Sequence, residues 1–284
     1  MLNQPGDYPI MAQRPMCWGR DCPKVKAALT HGERSGGYDM QSVQKMGGIG
    51  ALIAAGTFVV GLAMFAALFT DFVSAAPTAA VEFIADNQLA LHLWNITITI
   101  VFGIVLVPLV LAIGDRLREA HSPLARVASV FGLIWSGVII STGMITNIAY
   151  AAVADLQDTD PEMAPTVWAG LHAVTNGLGG GNEVLGGVWV LGTSIVALRE
   201  RLFARWVNNL GVAMGVAGLV TVVPALEKVG AVFGLGLIVW FTAVGIDLLK
   251  NASRPYARPV CAASFTPAQP HLYKQATKPT ERQS

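Results

Sequence analysis

The sequence predicts an all-α membrane protein, a six-span transmembrane helix bundle with both termini cytoplasmic and a broken or surface-lying segment before span four. Three observations carry this expectation. Only 13% of the residues are charged and 53% are hydrophobic, against about 25% charged in soluble domains. Uncharged stretches at 47–70, 87–114, 127–154 and 206–226 each reach the length of about 20 residues needed to cross the hydrocarbon, and two interrupted or shorter apolar stretches, 163–198 and from Val229 on, bring the number to six. The signs of the charges are also ordered. Arg14, Arg20, Lys24, Lys26, Arg34 and Lys45 precede span one; Arg116, Arg118 and Arg126 follow span two; Arg199, Arg201 and Arg205 follow span four; and Lys250, Arg254, Arg258, Lys274, Lys278 and Arg282 follow span six. Only Lys228 falls on the other side, whereas the alternate loops hold Asp71, Glu82 and Asp86, then Asp155, Asp158, Asp160 and Glu162. By the positive-inside rule this partition makes both termini cytoplasmic.

The chain divides into a flexible cytoplasmic extension (1–44), a membrane domain (45–250) and a flexible cytoplasmic tail (251–284). Residues 1–39 are mostly polar and lack the apolar core of a signal peptide, and Met40 is a second candidate start. The tail, with "RPYARP" and "TPAQP", has no composition for folding alone. Cys17, Cys22 and Cys261 all fall in these flanks, which argues against a structural disulfide. Cys17 and Cys22 with His31 have the chemistry of a metal site, but ordinary free thiols account for them more simply.

Span one, "GGIGALIAAGTFVVGLAMFAALFT", is built of small residues that let helices approach in lipid. Span two begins near Leu91 and holds Pro108, which removes one backbone donor and favours a kink. Span three carries Ser136, Ser141, Thr142, Thr146 and Asn147, which can bond their own helix or a neighbour. Span five has Gly211, Gly215 and Gly218, and span six Gly230 and Gly234, all at close-packing spacing. Asp247, one turn from Lys250, suits a local ion pair or a snorkelling end residue. The tryptophans read as packing and anchoring residues.

The fourth span is irregular. From Met163 to Leu198 the one formal charge is Glu183, and the stretch is too long for one upright helix. It divides into "APTVWAGLHAVTNG", with Val167, Leu171 and Val174 on one face, and a span from about Leu178 that sets Glu183 roughly 8 Å inside its edge. Gly179 to Gly181 permit a sharp turn there.

"GLGGGNE" lacks the GxGxxG spacing and the phosphate-binding lysine of nucleotide loops, so no cofactor is implied. An ionisable residue at membrane depth is a functional candidate by default. His92 and Asn95 on span two, His172 and Asn176 before the break, and Asn182 beside the glutamate are its polar company. Two readings stay open. Glu183 with His92 or His172 can form a proton-exchanging pair or, less simply, bind a metal ion, as a proton-coupled transporter or a membrane-embedded hydrolase requires. Alternatively Glu183, with Asn95, Asn176 and Asn182, forms a ligand-binding or purely structural polar network. The leading expectation is noncatalytic: binding of a small apolar or lipid-like ligand, or a role as accessory subunit beside a membrane-protein partner or a second copy of the chain. The dispersed bases suit membrane lipid headgroups and do not form the basic patch that nucleic acid needs.

The segments "ARVASVFGLIWSGVIISTGMI", "GLGGGNEVLGGVWVLGTSIVAL" and "GVAGLVTVVPAL" followed by "FGLGLIVWFTAVGIDLL" resemble those of uncharacterised bacterial multi-span membrane proteins of the domain of unknown function 4386 type, over about Lys45 to Leu249. The resemblance implies a multi-pass protein of the bacterial inner membrane and brings no catalytic residue with it.

Overall fold

The computed structural model describes residues 23–252 apart from 74, 181, 182 and 227, with side chains from 41 onward except at 71, 73, 119, 180 and 224. Asn182, the cysteines and both termini lie outside these described residues, as does the side chain of His31. All regular structure among them is helical. α1 (Pro23–Met64) begins within the stretch read as an extension and passes into a π-helical segment, Phe65–Phe69, and the short α2 (Thr70–Val73). α3 (Pro77–Asp86) and α4 (Gln88–Asn95) lead through a second π segment, Ile96–Val101, into α5 (Phe102–Leu117). α6 (Pro123–Thr159) is followed by α7 (Ala164–Thr175), a kinked segment at Asn176–Gly180, α8 (Val184–Glu200), α9 (Arg205–Val220) and α10 (Val229–Ala252).

Local chemistry accounts for the boundaries. Prolines occupy the first turn of α3, α6 and α7, where a missing N–H is harmless and the fixed φ suits a helix. His121 and Arg201 adopt left-handed conformations that close the helices before them. Pro108 lies inside a continuous α5, and the irregularity of that span falls upstream, in Ile96–Val101.

Among the described residues five helical stretches, not six, are long and apolar enough to cross a membrane: Gln41–Phe69, Gln88–Leu117, Pro123–Thr159, Ala164–Glu200, which is interrupted before α8, and Val229–Ala252. The expected fifth span fails because the uncharged run 206–226 is not one helix. α9 stops at Val220 after 16 residues, about 24 Å of rise against a hydrocarbon core of about 30 Å, and the rest of the run forms a turn and a 3-10 segment at Pro224–Leu226. The odd number of long helices removes the even count on which same-side termini rested. In the apolar windows of Gln41–Phe69, Pro123–Thr159 and Val229–Ala252 only 28%, 33% and 33% is buried inside the protein, so the remaining apolar surface faces lipid. The chain is an integral, multi-pass α-helical membrane protein.

Two apolar cores hold the helices. The larger joins Phe102, Leu106, Trp135, Trp189, Phe233, Trp240 and Phe241, with Trp189 and Trp240 edge to face at 5.6 Å. The smaller gathers Phe69, Val81, Ile84, Leu91, Tyr150, Val153 and Trp168 around α3, α6 and α7. α8 and α9 meet backbone to backbone: a Cβ on Gly187 would lie 2.9 Å from the Gly215 carbonyl oxygen. α1 and α10 cross as closely, a Cβ on Gly245 falling 3.0 Å from the Gly48 carbonyl oxygen.

Candidate functional site

Gly179 has φ +133°, a conformation that only glycine adopts without strain, and there the helical path of α7 ends. α8 therefore starts at Val184 with Glu183 as its N-cap, not one turn inside a helix as the sequence suggested. The break lies deep in the bundle. A Cβ on Gly179 would meet Val138 at 3.6 Å, and one on Gly186 would meet the Trp135 ring at 2.6 Å; both partners belong to the middle third of α6. α7 packs on the smaller core through Ala164, Trp168, Val167 and Leu171 while Val174 is exposed, so α7 is a packed helix and its buried stripe differs from the one expected.

Glu183 is tied to the fold through its backbone. Its N–H donates to the Thr221 hydroxyl at 2.9 Å, and its carbonyl accepts from the Gly187 N–H at 2.8 Å. Its carboxylate meets no hydrogen-bond donor among the described residues. The side chain lies beside α10, where a Cβ on Gly230 would come within 3.8 Å of its Cγ.

Glu183 lines a cavity of about 420 Å³. α1 contributes Thr57, Phe58, Gly61 and Leu62; α10 contributes Ala231, Gly234, Leu235 and Ile238; α6 contributes Trp135, Ile139 and Thr142; α4 and α5 contribute Trp94 and Phe102. The cavity follows the seam between the two cores, since Phe102, Trp135 and Ile139 belong to the larger and Phe65 and Trp94 pack on the smaller. Both π segments and the kinked stretch Asn176–Gly180 supply lining residues: Phe65 from the first π segment, Ile98 and Thr99 from the second, Gly179 from the kink. A π turn inserts a residue and widens the helix, and such turns recur at functional sites.

Comparison with protein-family models, curated proteins and solved structures finds no match to this chain. The site is therefore read from its own geometry.

Neither histidine lines the cavity. His92 Nδ1 sits 3.0 Å from Asn147 Oδ1 with its ring edge-on to Tyr150. His172 stacks on Trp168 at 5.1 Å, and its Nε2 lies 3.1 Å from Asn176 Nδ2. Asn95 is buried and donates to the Gly143 carbonyl at 2.8 Å, tying α4 to α6. The expected polar company thus forms separate inter-helix and intra-helix ties. Among the described residues no three His, Cys, Asp or Glu side chains gather as a metal site would require.

Sequence reasoning missed the aromatic wall. Trp94 and Trp135 read as packing residues, yet both face the cavity. The stripe Phe58, Gly61, Leu62, Phe65 follows the i, i+3, i+4, i+7 spacing of one helix face and was the available signal. Asp247 pairs with Arg116 at 2.7 Å, a partner far away in sequence, rather than with Lys250. Arg116 Nε also donates to Gln44 Oε1 at 2.7 Å, and Gln44 Nε2 donates to the Ala112 carbonyl at 2.7 Å, so α1, α5 and α10 are clamped together at this end.

Proposed function

We propose that the chain binds a small, largely apolar molecule in this cavity without chemical turnover. One observation carries the reading: an apolar, aromatic-walled space of about 420 Å³, within the range of about 300–1,000 Å³ typical of ligand sites, lies at the seam of the two cores. Leu62 and Leu235 line it and are at the same time exposed on the apolar outer surface, which supports access from lipid. A transporter or hydrolase reading needs Glu183 beside a histidine, and neither His92 nor His172 lines the cavity that Glu183 lines. The resemblance of the spans to uncharacterised bacterial membrane proteins supports a bacterial inner-membrane location.

The test is photolabelling of the full-length protein in nanodiscs with 3-(trifluoromethyl)-3-phenyldiazirine, a small apolar probe. Peptides containing Phe58–Phe65 and Trp94–Phe102 should label strongly, and Ala231→Phe, which fills the cavity from an exposed position, should suppress that labelling while lipid-facing labelling at Ile148 persists. If cavity and lipid-facing peptides label alike in both proteins, the reading is wrong.

A further inference from the structure

The cavity's polar groups are unbalanced. Thr57, Thr99 and Thr142 donate their hydroxyl protons to the Ala54, Asn95 and Val138 carbonyls of their own helical stretches, so only oxygen lone pairs remain for a ligand. The Trp94 indole N–H is engaged by the Gly61 carbonyl at 3.1 Å. The Trp135 indole N–H is left as the one lining side-chain donor without a hydrogen bond among the described residues. No lysine, arginine or histidine lines the space, and Glu183 is its one ionisable side chain. The site offers acceptors and a carboxylate, and almost nothing that donates.

Charge and shape point the same way. Glu183 stands at the N-cap position of α8, and its side chain makes no capping hydrogen bond. An unpaired carboxylate in an apolar surround is costly and is relieved by a cation. The walls carry five aromatic side chains, with Phe102 edge-on to Phe58 and to Trp135 at 5.2 Å each, an apolar surface suited to a hydrocarbon body. We infer that the occupant is a monocation with an apolar body, a protonated amine whose ammonium group sits at Glu183 and whose hydrocarbon portion lies among Phe58, Phe102 and Trp135.

This inference rests on the binding reading above, and the experiment separates the two. The probe is competed, at equal membrane concentrations in nanodiscs of zwitterionic lipid, by three compounds of one shape: 4-phenylbutylamine, its neutral isostere pentylbenzene and the anion 5-phenylpentanoate. The ammonium compound should protect the cavity peptides at about tenfold lower concentration than pentylbenzene, and the anion least of all. That advantage should vanish in Glu183→Gln and survive in Glu183→Asp. Equal protection by amine and hydrocarbon in the wild type overturns the inference and leaves the binding reading standing; absence of protection by all three removes both. The comparison among ligands on the wild type decides the charge preference even where Glu183→Gln does not fold.

Discussion

The backbone N–H of Glu183 donates to the hydroxyl of Thr221 at 2.9 Å, and that hydroxyl donates onward to the Gly218 carbonyl at 2.7 Å. One side chain thus ties the start of α8 to the end of α9. The same relay holds the break before α8 against the last turn of α9.

Thr221 is buried, so Thr221→Val, nearly its equal in shape, leaves the Glu183 N–H without an acceptor. The loss should be about 1–3 kcal/mol, the usual cost of a buried donor left unpaired, read as a lowered unfolding temperature in detergent. Thr221→Ser should recover most of it. A valine variant as stable as the wild type would show that the relay contributes nothing.

Gly179 and Gly177 lie two residues apart and should respond oppositely to alanine. At Gly179 the obstacle is conformational: φ is +133°, while the nearest neighbour of an added Cβ is 3.6 Å away. Strain of about 1–3 kcal/mol is expected there. At Gly177 an added Cβ meets nothing within 4 Å and φ is not positive, so alanine should be neutral or stabilising by about 0.4–1 kcal/mol. Equal effects of the two variants on thermal stability would refute the left-handed break.

Arg116 uses three nitrogens on three partners: Nε on Gln44, Nη1 on Asp247 and Nη2 on the Leu248 carbonyl. Lysine cannot reproduce that fork, so Arg116→Lys should resemble Arg116→Ala, each costing about 1–3 kcal/mol. A double-mutant cycle with Asp247→Asn should give a coupling of about 1 kcal/mol or more. Additivity of the two single changes would mean that the pair is incidental.

Much of the architecture was legible because lipid imposes simple demands. Runs of apolar residues had to be helices. The count of crossings was not legible, because hydropathy sees 206–226 as one greasy run while the helix stops at Val220 and the chain turns into a 3-10 segment at Pro224–Leu226. Glu183 stood out by its charge alone. Its cavity did not, since Phe58, Trp94 and Trp135 come from three helices and no local spacing announces that they converge. Arg116 and Asp247 show the same limit: each is plain in the sequence, and only the packing of α5 against α10 makes them partners.

The crossing of α1 and α10 at Gly48 and Gly245 would serve as the pivot of any relative motion of the two helices. Leu62 lies about 20 Å along α1 from that point, so a swing of roughly 5° displaces it by roughly 2 Å. The opening between Leu62 and Leu235 would then widen by about 2 Å while the pivot hardly shifts, and α8 and α9, packed at Gly187 and Gly215, need not move. Spin labels at positions 62 and 235 would register such scissoring as a broad separation, with a narrow one between labels on α8 and α9; a narrow distribution at both would mean a rigid gate.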